Sequence, residues 1–269
     1  MKIPAINSKD FLCITDLSKN ELMALFDFTM KLKKENKQGK THGFLKGKTL
    51  AMIFEKSSTR TRVSFEAGVF QLGGHALFLS KDDIQIGRGE TIADTARVLS
   101  RYVDAIMLRT FSHDKAVQLA QNADIPVING LSDSYHPCQA LADFFTILED
   151  NGTFKKVKLA YVGDGNNVAH SLMLGSALLG IDFSIACPRG YSPDKKIIEH
   201  AFQLSSKSGS KMIITTDVKM AVENANYLYT DVWTSMGREK EAAKRRKAFA
   251  KYKVDDNLVK KCADNCRIL

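Results

Sequence analysis

Residues 57–62 read Ser-Ser-Thr-Arg-Thr-Arg and follow closely on the apolar run Leu50–Phe54. An apolar strand, a hydroxyl- and arginine-rich turn and then an apolar helix make a succession suited to an anion. The first turn of a helix carries unpaired backbone N–H groups and a partial positive charge. Ser58, Thr59 and Thr61 add hydroxyl donors there, while Arg60 and Arg62 add charge. A charged hydrogen bond contributes roughly 1.5–3 kcal/mol, so three or four of them hold a small dianion tightly. The competing reading is an ordinary helix cap with arginines on the surface, and the pattern leaves both open. It is not a nucleotide-binding loop of the Gly-Lys-Ser/Thr type.

Three further clusters could do chemistry. His136-Pro137-Cys138-Gln139 opens a helix, with His136 at its N-cap and Gln139 in its first turn, both directed at whatever lies before the helix. A histidine at such a place serves structure or catalysis with equal ease. Arg109 closes the apolar strand Ala105–Leu108, at the C-terminal strand edge where open α/β sheets bind ligands. Gly163-Asp164-Gly165-Asn166-Asn167 is half a dinucleotide fingerprint. Val168 stands where its third glycine belongs, and the next strand ends Cys187-Pro188-Arg189 instead of in an acid, so a nicotinamide site is a weak reading. The two asparagines can instead hold a polar substrate's amino or carboxylate group. Finally, Asp231-Val232-Trp233-Thr234-Ser235-Met236-Gly237 runs from a strand end into a polar loop. Asp231 can take a cationic amine and Ser235 can help to orient it, although a plain loop with a helix cap fits the same letters.

The elements that must position these residues read as an alternation of brief apolar strands and amphipathic helices, the pattern of parallel-sheet α/β architecture. Ser18 to Glu21 forms a capping box before a helix carrying Leu22, Leu25 and Phe26. Strands are expected at 49–54, 76–80, 104–109 and 125–129. A second series is expected at 158–162, 183–187, 212–215 and 227–230. Between the two series a helix starts at Pro137, buries a face of Leu141, Phe144, Phe145 and Leu148, and ends at Asn151-Gly152. The expected fold class is therefore α/β, with two doubly wound domains of parallel sheet. They span 1–135 and 153–269, joined by a linking helix over 136–152, with a cleft between them as the natural small-molecule site. Arg267-Ile268-Leu269 reads as the opening of one more strand, so the second domain is expected to be incomplete at its C-terminal end.

Composition narrows the function classes. Of 269 residues, 44% are hydrophobic and 26% charged, enough for a sizeable core. The apolar runs are far too short to span a membrane, and Met1–Ser8 lacks the features of a secretory signal, so a cytoplasmic location is expected. Five scattered cysteines suit free thiols in a reducing compartment. The net charge of +9 collects partly in 238–261, where interspersed acids favour a solvated helix over a nucleic-acid surface. Cys262 and Cys266, at i and i+4 of an expected helix, are read as core packing. The histidines are dispersed, so no metal site is expected, and no Ser/His/Asp or Cys/His nucleophile pair is evident.

Taken together, the clusters resemble the ornithine carbamoyltransferase family, in the right order over essentially the whole chain. FEKSSTRTRVSFE is similar to that family's carbamoyl phosphate signature, GRGETIADTARVLSRYVDAI to the segment after it, and HPCQALAD to its second phosphate-domain motif. GDGNN and DVWTSMG resemble its amino-acid-domain motifs. The Asp-x-Trp-x-Ser-Met-Gly form separates ornithine enzymes from aspartate enzymes, which resemble this chain in the first domain alone.

The resemblance implies that Ser58, Thr59, Arg60 and Thr61 bind the phosphate of carbamoyl phosphate, and that Arg109, His136 and Gln139 hold its carbamoyl group. It implies a homotrimer with shared active sites, in which Gln85 reaches the site of a neighbouring subunit. Asn167, Asp231, Ser235 and Met236 would receive L-ornithine. Arg109, His136 and Thr61 would stabilise the developing oxyanion, with no metal or cofactor. Family members continue with a His-Cys-Leu-Pro motif that would begin directly after Leu269, so loss of ornithine contacts is an expectation for the chain as written. A remnant that binds carbamoyl phosphate without turning over, alone or assembled with an intact homologue, is the alternative from another class. A carbamoyltransferase for putrescine is a third, against which the Ser-Met-Gly loop argues.

Overall fold

The structure is a computed structural model that describes residues 3–86, 89–234 and 239–269. It divides into two compact units, residues 1–138 and 139–269. In chain order the first unit holds α1 (Lys19–Lys37), β1 (Thr49–Phe54), α2 (Thr59–Gln71), β2 (His75–Ser80), α3 (Ile92–Leu99), β3 (Ala105–Arg109), α4 (His113–Asn122) and β4 (Val127–Leu131). Its sheet is parallel in the order β2-β1-β3-β4. α5 (Pro137–Asn151) follows, its start falling in the first unit and the rest in the second.

The period of two along a strand builds this unit's core. Ala51 and Ile53 of β1, with Ile106 and Leu108 of β3, pack on Ala96 of α3 and on Ala116 and Leu119 of α4. Leu50, Met52 and Phe54 point to the other face and meet Val69 of α2. The chain moves from β1 out to β2 and returns across β1 to β3, so its winding reverses between β1 and β3. A crevice opens at the carboxyl ends of two strands at such a reversal. Phe54 and Arg109 are paired in register there, so the turn after β1 and the arginine ending β3 are neighbours by topology.

The second unit continues with β5 (Lys158–Val162), α6 (Asn167–Leu179), β6 (Asp182–Ala186), α7 (Lys195–Ser208), β7 (Met212–Thr215), α8 (Val218–Val222), β8 (Tyr227–Tyr229), α9 (Ala242–Phe249), α10 (Asp256–Val259) and β9 (Arg267–Ile268). Its parallel sheet runs β7-β6-β5-β8-β9, so the winding reverses between β5 and β8. The loops after those two strands carry Gly163–Asn167 and Asp231–Thr234. Each unit thus places polar motifs at its own point of reversal.

The capping box of α1 is formed, with Ser18 Oγ accepting from Glu21 N at 3.3 Å and Glu21 Oε2 accepting from Ser18 N at 2.8 Å. Four expectations need correction. β4 begins two residues later than the apolar run suggests, after Pro126, which has no N–H to give a ladder. The buried face of α5 is Ala140, Asp143, Phe144, Ile147 and Leu148, so it takes in an acid, while Leu141 and Phe145 are only half-buried. The basic segment is not one solvated helix. It is broken into α9, a 3-10 turn at Ala250–Tyr252 and α10, and Arg245, Phe249, Tyr252 and Leu258 are buried. Cys262 and Cys266 lie in the turns after α10 and pack against that core, as expected of them, but not on a helix. No helix among the described residues is long and apolar enough to cross a membrane.

Candidate active site

At the first unit's point of reversal Ser58 caps α2, its Oγ accepting from Thr61 N at 3.2 Å. Ser58 Oγ donates in turn to Thr61 Oγ1 at 3.0 Å. Arg109 comes to the same hydroxyl from β3, its Nη1 donating to Thr61 Oγ1 at 3.3 Å. Thr61 Oγ1 therefore accepts twice, which leaves its own O–H to give away. Thr59 and Arg60 are exposed in the first helical turn. Arg109 is buried, and its Nε has no hydrogen-bond partner among the described residues. Burial, and then the charge of Arg60, bring its guanidinium down to about 10, still fully charged near neutrality.

The charges around this turn are sorted. Glu55, at the end of β1, accepts from Lys115 Nζ at 2.6 Å and from the Thr110 hydroxyl, so its negative charge is neutralised locally. Arg62 turns away, lying over the Phe78 ring at 3.7 Å and pairing with Glu66 at 2.9 Å. His136 is half-buried at the start of α5. Burial, then Arg109 and Lys56, lower its imidazole to about 3. It is therefore neutral at any ordinary pH, able to donate one N–H and too weak a base to abstract a proton.

Gln139 is exposed in the first turn of α5, and its Nε2 donates to Asp143 Oδ1 at 2.9 Å. Burial raises Asp143 to about 6, against the lowering effect of Gln139 and Tyr229, with the charge of Asp231 adding to the rise. Tyr229 in turn stacks on Tyr161, with ring centroids 5.6 Å apart.

At the second unit's reversal Asn166 caps α6, its Oδ1 accepting from Val168 N at 3.0 Å and Ala169 N at 3.1 Å. Its Nδ2 donates to Asp231 Oδ2 at 3.0 Å, tying the loop after β5 to the loop after β8. Asn167 Oδ1 accepts from Val168 N at 3.0 Å. Gly165 is needed for close approach, since a Cβ there would stand 2.3 Å from Pro193 N. Beneath these loops Arg245 Nη1 donates to Asp164 Oδ2 at 2.6 Å and to the Trp233 carbonyl at 3.0 Å, while its Nε reaches Glu241 at 3.0 Å. Ser235 and Met236 lie outside the described residues, and Gln85 is exposed in the loop after β2. No group of three or more His, Cys, Asp or Glu among the described residues is placed to hold a metal ion.

The family model for the aspartate/ornithine carbamoyltransferase carbamoyl phosphate-binding domain matches residues 9–149, and that for the Asp/Orn-binding domain matches 155–269. The chain belongs to the aspartate/ornithine carbamoyltransferase family. It is 53% identical to the ornithine carbamoyltransferase of Anoxybacillus flavithermus over 98% of this chain and 84% of that one. To that of Pyrococcus abyssi it is 54% identical over 96% of this chain and 81% of the other. Among solved structures, the ornithine carbamoyltransferase of Pyrococcus furiosus superposes with a TM-score of 0.94 at 53% identity, covering 97% of this chain and 83% of that one. The anabolic enzyme of Campylobacter jejuni gives 0.91 at 38% identity, covering 97% and 84%.

Asn166, one of the two asparagines singled out in the sequence, bridges to Asp231. Within this carbamoyltransferase framework, sequence reading overlooks the part played by three charged residues. Asp143, Asp164 and Arg245 are buried charges whose partners lie on other turns or other elements. Asp143 is the one with a local signal, an acid at i+4 from Gln139 within an apolar helix face.

Proposed function

We propose that the chain transfers the carbamoyl group of carbamoyl phosphate to the δ-amine of L-ornithine, giving L-citrulline and phosphate. The observation that carries this reading is the cluster of Ser58, Thr61 and Arg109 at the first unit's reversal. It is a cationic cradle, and the acid Glu55 beside it is already neutralised. On this reading the first unit takes carbamoyl phosphate and the second takes ornithine, in line with the family descriptions of the matching segments.

The phosphate sits on the N-terminus of α2, held by Ser58, Thr59, Arg60 and Thr61. The carbamoyl oxygen takes the outward proton of Thr61, a guanidinium N–H of Arg109 and the N–H of neutral His136. Gln139 meets the carbamoyl amine. The neutral δ-amine forms the new C–N bond while the C–O bond to phosphate breaks, and its electron pair leaves with the phosphate. The excess proton of the amine goes to the departing phosphate or to water. Charge that grows on the carbamoyl oxygen meets donors that are already oriented, so the acceleration comes from preorganised electrostatics and positioning. Ornithine's own charged groups are the share of Asn167, Asp231, Ser235 and Met236. Asp231 is already held by Asn166 for such a contact.

A homotrimer in which Gln85 reaches a neighbour's site is part of this proposal. Its support is a set of exposed apolar side chains, Val63 and Phe70 on α2 and Leu77 on the sheet-edge strand β2. A mass three times that of the chain in light scattering is the expected result.

The direct test of the activity is citrulline formation from ornithine and carbamoyl phosphate, lost in Arg60→Ala. A correctly folded protein that forms no citrulline at saturating substrates overturns the reading.

A further inference from the structure

Asp143 is 8% exposed, lies one turn after Gln139 on α5 and faces the phenol of Tyr229 and the carboxylate of Asp231. Burying an acid between a phenol and a second acid is costly, so its place asks for a reason beyond packing. The bond from Gln139 supplies one. The two ends of a primary amide are nearly the same in shape and opposite in hydrogen-bonding character. An exposed glutamine with no partner presents either end, but an ionised carboxylate can only accept, so it fixes Nε2 inward and Oε1 outward.

We infer that Asp143 is a positioning residue: it orients the Gln139 amide so that Oε1 accepts from the carbamoyl NH2, which phosphate lacks. The inference rests on the reading of Gln139 as the contact to the carbamoyl amine. With the amide reversed, two NH2 groups would face each other and the contact would become repulsive. Asp143 thus acts through Gln139 without touching substrate, and it sets the preference for carbamoyl phosphate over its own product.

The arrangement is sensitive to protons. Once protonated, Asp143 can donate to Oε1 and so stabilise the reversed amide. The groups facing it leave that switch to Asp143. Tyr229, from β8, is held protonated far above the neutral range by burial and by Asp143. Asp231, from the loop after β8, disfavours a second negative charge beside it.

Calorimetry with carbamoyl phosphate and inorganic phosphate as separate ligands, from pH 5 to 8, tests this. The ratio of the two affinities, each referred to the dianion of its ligand, is the readout, because contacts to the shared phosphate then cancel in it. In the wild-type protein the ratio falls about tenfold as pH drops, with a midpoint near 6, the size of one hydrogen bond lost. In Asp143→Asn the ratio at pH 7.5 is lowered about three- to tenfold and is flat with pH, while phosphate binding is retained. A wild-type ratio that stays flat from pH 5 to 8 overturns the inference, as does Asp143→Asn keeping the full ratio or losing both ligands equally. If Asp143→Asn does not fold, the wild-type profile beside that of Gln139→Ala decides. Gln139→Ala should be low and flat. A Gln139→Ala protein with an unchanged ratio removes the underlying contact. A lowered ratio there beside an intact one in Asp143→Asn removes the role of Asp143 alone.

Discussion

Arg245→Met keeps most of the aliphatic stem while deleting the donors that join three pieces of the second unit. The donors serve Asp164 at 2.6 Å, the Trp233 carbonyl at 3.0 Å and Glu241 at 3.0 Å. These bonds differ in weight. The Glu241 side chain is more than half exposed, so that arm contributes at most about 1 kcal/mol. Asp164 and Arg245 have side chains only 8% and 2% exposed, and removing one partner of a buried pair costs about 3–5 kcal/mol, because the other charge is stranded. A loss of about 3 kcal/mol, the lower end of that range, is expected. Trp233 is the single tryptophan of the chain and stacks on Phe249 at 6.0 Å, so its fluorescence in a urea titration reports this unit. Arg245→Met/Asp164→Asn should recover part of the loss, since no unpaired charge remains. A cost below about 1 kcal/mol for Arg245→Met would put the pair in the range of a surface salt bridge and refute the reasoning. Strict additivity of the two substitutions would refute it as well.

Arg60→Ala should weaken phosphate binding about 10- to 100-fold, the value of one charged hydrogen bond, and calorimetry with inorganic phosphate reads this directly. His136→Gln should make the protein less sensitive to acid. The imidazole titrates near 3 when folded and near 6.5 when unfolded, so the unfolded chain binds the extra proton between those values. Its contribution is therefore complete above about pH 6.5 and shrinks as pH falls, by at most about 2 kcal/mol at pH 5. Asp143 works in the opposite sense, since its raised value lets the native state take up a proton below about 6. The comparison is therefore wild type against His136→Gln in urea titrations at pH 7 and pH 5, and an equal drop in both is the contrary result. Gly165→Ala should lower the melting temperature of the second unit, because the new methyl would meet Pro193 N at 2.3 Å and Ser192 C at 2.5 Å. Overpacking of that kind costs about 1–3 kcal/mol, and an unchanged melting temperature would show that the 192–193 turn yields freely.

By itself the sequence determined the elements and their polar ends. β1, β5 and β7 fall at the residues where their apolar runs stand, and α1 and α5 start at their capping signals. These are local properties, written in period and in cap chemistry within a few residues. The same locality made the Ser58 cap of α2 legible. Tertiary structure decided which ends meet. Arg109 reaches Thr61 across 48 residues because the first sheet reverses its winding between β1 and β3, and Asn166 reaches Asp231 across 65 because the second reverses between β5 and β8. Burial was decided there too. The 238–261 segment has the letters of a solvated helix, yet Arg245 is drawn inward by a buried Asp164 that lies 81 residues away. Asp143 is held in an apolar helix face by Gln139 and Tyr229, against the charge of Asp231. The burial of neither charge follows from local letters alone, since its free energy depends on partners that only the folded chain brings within hydrogen-bonding distance.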